Sequence, residues 1–222
     1  MKIAISGMSG CGNSTVSGLV GEKLGLTVIN YTKRNLAEEA KMPFDEWYAR
    51  HGNDKKYDFM LESKQIELAG ENTVTGTRLA CACIEADLKV WLHASPKTRA
   101  KRIAERENKD PAEVLKAVKE RDKNDAKHYK AIYRIDIKKH EEFVDLVINT
   151  ERYSAEEVVE IICGASKTLP SKPNRKAQRI SRRIREIIMK SGELNGCDTD
   201  RKEIRKNEGT EKWGNLRSHK SH

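Results

Sequence analysis

The chain predicts an α/β fold, a five-stranded parallel sheet covered by helices on both faces, followed by a basic extension. Three observations carry that prediction. Short apolar runs alternate along the first 164 residues with longer stretches of helical period. The first apolar run leads into the glycine-rich turn Gly7-Met8-Ser9-Gly10-Cys11-Gly12-Asn13-Ser14-Thr15, and a helical stretch leaves it. The charge is uneven: residues 1–164 hold 27 Lys and Arg against 27 Asp and Glu, whereas residues 165–222 hold 16 against 7. The whole formal charge of +9 therefore lies after residue 164.

Ile3-Ala4-Ile5 is the first strand, and Val16, Leu19, Val20 and Leu24 recur at helical spacing after the turn. Thr27–Asn30 is a second strand. Helices are expected over 32–41, from Pro43 through Trp47 and Tyr48, and over 55–70, where Tyr57, Met60, Leu61, Gln65, Ile66 and Leu68 form a stripe. Thr73-Val74-Thr75 is the third strand and ends at Gly76; Leu88–Leu92 is the fourth. Pro96 opens a helix to about Arg106, and Pro111 starts the next, to about Ile132. Phe143–Ile148 reads as the fifth strand, and Ser154 with Glu157 at capping-box spacing starts a helix through Ile162.

Strand, glycine-rich turn and helix together make a phosphate-binding loop. Glycines allow the tight turn and keep Cβ atoms out of the ligand's path, and the helix N-terminus adds partial positive charge. Residues 7–15 are therefore candidates to hold the phosphates of a nucleotide, with Ser14 or Thr15 offering a hydroxyl to Mg²⁺. The usual loop places lysine before that hydroxyl; here the position is Asn13, which donates a hydrogen bond but carries no charge. An unliganded helix-capping turn is the alternative.

At 222 residues the chain has room for one sizeable domain and an appendage. Five scattered cysteines lack the spacing of a metal site and read as reduced thiols of a cytosolic protein. Met1 leads straight into a strand, so no leader is expected, and no apolar run approaches the roughly 20 residues of a membrane span.

Ligands of parallel sheets bind beyond the carboxyl ends of the strands. The arginines follow that rule. Arg34 comes after strand two, Arg78 after strand three, and Arg99, Arg102 and Arg106 share one helix face after strand four. Arg121, Asp125 and His128 share a face of the next helix. Phosphoryl transfer needs cations aimed at phosphate oxygens, and the planar fork of arginine suits that. Ion-paired helix surfaces are the plain alternative for both clusters. Asp58, Glu62 and Gln65 are candidates to line an acceptor pocket.

With these residues in view, residues 1 to about 163 resemble the nucleoside monophosphate kinases, and among them the cytidylate kinases of archaeal and spirochaetal type. The segments that carry the resemblance are GMSGCGNST, TGTRLACACIEADLKVWLHASPKTRAKRIAERE, ERDKNDAKHYKAIYRIDI and VDLVINT. It implies a P-loop three-layer α/β/α domain over 1–164, with acceptor-binding helices at about 31–71 and a lid and following helix at about 99–130. It implies transfer of phosphate from ATP to CMP or dCMP with Mg²⁺. The loop 7–15 would hold ATP, with Ser14 on the metal. Arg34 and Arg78 would grip the acceptor phosphate, Arg121 and Asp125 its phosphate and pyrimidine ends, and Arg78, Arg102, Arg106 and Arg121 would stabilise the transferring group. His128 stands where relatives often carry arginine. AMP or UMP as acceptor remains open.

Residues 165–222 lie outside that pattern. Leu169–Pro173 reads as a linker. Ile180, Ile184, Ile187 and Ile188 then form an apolar edge among arginines, a basic amphipathic helix suited to nucleic acid or an acidic partner. A solvated, partly disordered appendage is the other expectation for this stretch. It leaves a second function class in view, an RNA-associated nucleotide-binding protein without kinase activity.

Overall fold

The computed structural model describes residues 1–52, 54–170, 172 and 174–194. Five strands, β1 (Lys2–Gly7), β2 (Thr27–Ile29), β3 (Thr73–Gly76), β4 (Leu88–His93) and β5 (Leu146–Asn149), form one parallel sheet in the order β2-β3-β1-β4-β5. β1 is central: Ile3 is in register with Val74 on one side and with Leu88 on the other. Its carboxyl end, where the glycine turn begins, therefore lies between the ends of β3 and β4.

The helices are α1 (Asn13–Leu24), α2 (Lys33–Glu39), α3 (Phe44–His51), α4 (Lys55–Leu68), α5 (Ala80–Cys83), α6 (Pro96–Glu107), α7 (Pro111–Tyr133), α8 (Ala155–Lys167) and α9 (Arg175–Leu194). Their starts follow local rules. Ser95 accepts from the Thr98 N–H with Pro96 in the first turn of α6, and Asp110 accepts from the N–H groups of Ala112 and Glu113 with Pro111 opening α7. Ser154 and Glu157 form the reciprocal capping box of α8. Asn108 and Arg134, with φ of 50° and 55°, end α6 and α7 in the left-handed conformation.

Strand side chains alternate between two cores. Ile3, Ile5, Val74, Val90 and Leu92 pack with Val16 and Val20 of α1 and Val158, Val159 and Ile162 of α8. Ala4 and Trp91 point the other way, into a core with α5, the end of α7 and α9. Smaller clusters join α2, α3 and α4 through Leu36, Trp47 and Leu61, and α6 to the start of α7 through Ala100, Ala104, Val114 and Val118.

Several expectations shift. The fifth strand begins at Leu146 rather than Phe143, because Phe143 closes a 3-10 turn over Ile137–Glu142 and is buried against Trp91. α8 continues five residues past Ile162, to Lys167. The short α5 was not foreseen; four residues are too few to show a period. The largest departure is α9. Its apolar edge does not face solvent: Ala177, Ile180, Ile184 and Ile188 are buried in the main core. This edge packs on α4, α5 and α7, so a solvated appendage is the wrong description of 175–191. Ser171, Pro173 and 195–222, with Cys197, lie outside the described residues.

Candidate active site

The turn after β1 is held open by backbone conformation and by its own side chains. Gly10 and Gly12 have φ of 86° and 100°, which residues with a Cβ rarely adopt. A Cβ on Gly10 would also lie 2.9 Å from the Cβ and carbonyl oxygen of Arg99. Asn13 does not reach outward as a loop lysine would. Its Nδ2 donates to the Gly7 carbonyl at 2.7 Å and staples the first residue of the turn to the first residue of α1. The Asn13 Oδ1 is buried without a partner among the described residues.

Three arginines surround this turn. Arg99 is buried beneath it, donating to the carbonyls of Ser9 (3.2 Å) and Ala94 (3.1 Å) and gripping Asp122 through both Nη atoms, at 3.1 and 2.5 Å. That fork links α6 to α7 under the loop. Arg102 approaches from the β5 side, reaching the Gly10 carbonyl at 3.4 Å while Thr150 holds it at 2.9 and 2.7 Å. Arg78 comes from the opposite side, donating to the Ser9 hydroxyl and, at 2.5 Å, to Asp125 Oδ2.

The second half of the site is built from side chains. Asp125 Oδ2 also faces Arg121 Nε at 4.0 Å, so two guanidinium groups share one carboxylate oxygen. The charge of Arg78, then burial, pulls the Arg121 pKa below its ordinary value. Such crowding of like charge favours an anion placed between the two. Burial works against the charge of Arg78 itself, but Tyr129 and Asp125 outweigh it and the net shift is upward. Beside this pair, buried Asp58 accepts from His128 Nε2 at 2.6 Å and pairs with Lys33 Nζ at 2.8 Å. Burial pushes the Asp58 pKa up; the bonds from His128 and Lys33 overcome it and leave the group below its ordinary value. One turn on, Glu62 meets the Tyr133 hydroxyl at 3.2 Å. Burial, with Asp58 nearby, raises the Glu62 pKa to about 8, so it is protonated at neutral pH. Gln65 accepts from Thr77 and donates to the Tyr31 carbonyl, both at 2.8 Å, tying α4 to the end of β3.

Of the residues singled out in sequence, the structure brings loop 7–15, Arg78, Arg102, Arg121 and Asp125 together. Two stand apart. The Arg34 guanidinium lies 4.2 Å from the Phe44 ring centre on an exposed surface, and its neighbour Lys33 turns inward instead. Arg106 is two-thirds exposed and pairs with Glu107 at 2.7 Å, away from the loop. Arg99, expected with Arg102 and Arg106 on one face of a lid helix, is a buried brace. Tyr129, Tyr133, Thr77, Thr150 and the partnership of Asp58 with His128 had escaped sequence reasoning. The one available signal was helical spacing, since Tyr129 is one turn from Asp125 on α7.

The donor set fits a magnesium ion held mainly by phosphates and water. The Ser14 hydroxyl is exposed at the first turn of α1 and takes no side-chain partner among the described residues. No group of three His, Cys, Asp or Glu able to hold a metal occurs among them. No described helix is long and apolar enough to cross a membrane.

Known proteins bear on this arrangement. The model of the cytidylate kinase-like family matches residues 2–152. Cytidylate kinase 2 of Borrelia garinii subsp. bavariensis is 42% identical over 167 residues, covering 73% of this chain and 94% of its own. Cytidylate kinase of Archaeoglobus fulgidus is 38% identical, covering 74% and 94%. Among solved structures, a deoxyadenosine kinase from M. mycoides (TM-score 0.53, 20% identity, 76% and 100% covered) and a shikimate kinase from Bacteroides thetaiotaomicron (0.52, 16%, 75% and 98%) share the fold. The loop, the sheet order and a match spanning most of the chain agree, and the protein belongs to the cytidylate kinase-like family.

Proposed function

We propose that this protein transfers the γ-phosphoryl group of ATP to the phosphate of CMP or dCMP, yielding ADP and CDP or dCDP. A phosphate oxygen of the acceptor attacks the γ-phosphorus as the bond to the β-phosphate oxygen breaks. The acceptor phosphate is itself a nucleophile, so alignment and charge stabilisation carry the catalysis and no general base is assigned. The observation that carries this reading is the double grip of Arg78, on Ser9 of the loop and on Asp125 of α7. A group so placed would reach both phosphate chains.

Loop amides would cradle the donor phosphates, and Arg102 would add charge that Asn13 does not supply. Arg78 and Arg121 would hold the acceptor phosphate, with Asp125 setting their spacing. Asp58, Lys33 and His128 would border the nucleoside. Ser14 would hold Mg²⁺, which when bound neutralises charge on the phosphate oxygens. Arg34 and Arg106 would join only after movement of α2 or α6. Four buried free thiols support a reducing, cytosolic setting. The outward face of α9, with Arg175, Arg179 and Arg182 exposed, suits nucleic acid or an acidic partner; salt-dependent RNA retention by the full chain tests that reading.

The primary test is ADP release with CMP, dCMP, UMP and AMP. The expected result is turnover that depends on acceptor and favours the cytosine nucleotides. Turnover independent of acceptor, or preference for AMP, overturns the proposal.

A further inference from the structure

We infer that α9 is the back wall of the acceptor site, an element beyond the family match that positions the residues gripping the acceptor. The inference rests on the acceptor assignment proposed above.

The placement of α9 is selective. It packs on α4, α5 and α7. Asp58, Glu62 and Gln65 lie on α4, Arg78 lies two residues before the start of α5, and Arg121, Asp125 and His128 lie on α7. Cys11 of the donor loop and α1 belong to the opposite core with α8, Met8 of the loop borders both cores, and α6 packs on the first half of α7. The buried edge of α9, Ala177, Ile180, Ile184 and Ile188, shares one core with Phe59 and Ile66 of α4, Cys81 and Cys83 of α5, and Tyr129 and Tyr133 of α7. Tyr133 in turn holds Glu62, and Tyr129 lies against Arg78. The backs of α4, of α7 and of the segment carrying Arg78 thus rest on α9, directly or through one side chain, while α2, which carries Lys33, packs with α3 and α4.

A buried charge confirms that the sheet is built to receive this helix. Lys89 of β4 is on the same sheet face as Trp91 and is 3% exposed. Its Nζ donates to Ser181 of α9 at 3.0 Å. Arg185 reaches Glu85, ahead of β4, at 3.6 Å. The family match ends at residue 152, and α9 begins at Arg175. Cytidylate kinases otherwise similar to this chain over 94% of their length align with only 73% of it. This protein therefore carries added backing for helices whose alignment sets acceptor binding, and small displacements of such helices are costly.

The test uses the full chain with Cys197→Ser, which leaves Cys11, Cys81, Cys83 and Cys163, all buried, as a report on release of α9. Ile184→Asp puts a charge against the core, and Ile184→Ala is the milder counterpart should the first fail to fold. Steady-state constants are measured for CMP and ATP separately, with labelling of Cys83 by a thiol reagent. The expected result is faster Cys83 labelling, a KM for CMP raised about tenfold or more in Ile184→Asp and less in Ile184→Ala, and a KM for ATP changed less than about twofold. Faster labelling with an unchanged CMP KM overturns the inference, as does an equal rise for both nucleotides. Labelling unchanged in both variants overturns it too, since docking would then not depend on the isoleucine edge. Failure of the unsubstituted chain to use CMP would instead refute the function on which the inference rests.

Discussion

The two halves of the site are made of different materials. The half proposed to take the donor is one continuous turn in which backbone conformation does the work: two glycines at positive φ, a stapling asparagine, and arginines that reach loop carbonyls. The half proposed to take the acceptor is a set of side chains drawn from α2, α4, the end of β3 and α7, satisfying one another in pairs. A backbone site tolerates changes around it and is sensitive to a single Cβ. A site of paired side chains tolerates small shape changes and is sensitive to loss of any partner, because the group left behind stays buried and charged.

Arg78 belongs to both halves, so its loss breaks the comparison most completely. Arg78→Ala is expected to lower kcat/KM about 1,000-fold, about 4 kcal/mol of transition-state stabilisation, with Arg78→Lys recovering only part. Steady-state kinetics with CMP and ATP would show it, and a loss under about tenfold would remove Arg78 from the joint between the halves. Asp58→Asn sharpens the comparison on one side. It leaves Lys33 and His128 without their carboxylate and should raise the KM for CMP about tenfold while the KM for ATP holds. A change confined to ATP would contradict the division.

The smallest expected effect on turnover comes from Glu62→Gln, whose signature is in stability. The carboxyl ionises near its ordinary value when unfolded and at about 8 when folded, so folding takes up a proton between those limits. The stabilisation is fully present below the unfolded value and is lost as pH rises through 8. Denaturation midpoints of the parent chain should fall over that window, and the substituted chain should show a flatter profile. Equal slopes for the two would mean that Glu62 is ionised in the fold.

The same contrast explains what was legible in the sequence. The loop, the helix starts at Pro96 and Pro111, the cap at Ser154, and the alternation of strands with helices are local patterns, and they stand where the residues place them. Arg78 and Arg121 were legible because strand ends and a shared helix face predict position. The role of Arg99 was not: nothing in a run of basic residues at helical spacing says which one turns inward to Asp122. Arg34 and Lys33 are adjacent, and only the burial of Asp58 decides that the lysine goes in. For α9 the isoleucine period gave the helix but not its destination, because a basic amphipathic edge reads alike whether it covers a core or awaits a partner.

The most direct test of two separately built halves is a pair of calorimetric titrations on Gly10→Ala. The added Cβ strains the turn, where φ is 86°, and the three atoms nearest to it all belong to Arg99. Affinity for a non-hydrolysable ATP analogue should fall about 100-fold, while affinity for CMP should stay within about twofold. Equal losses for both nucleotides, or an unchanged ATP affinity, would contradict the account.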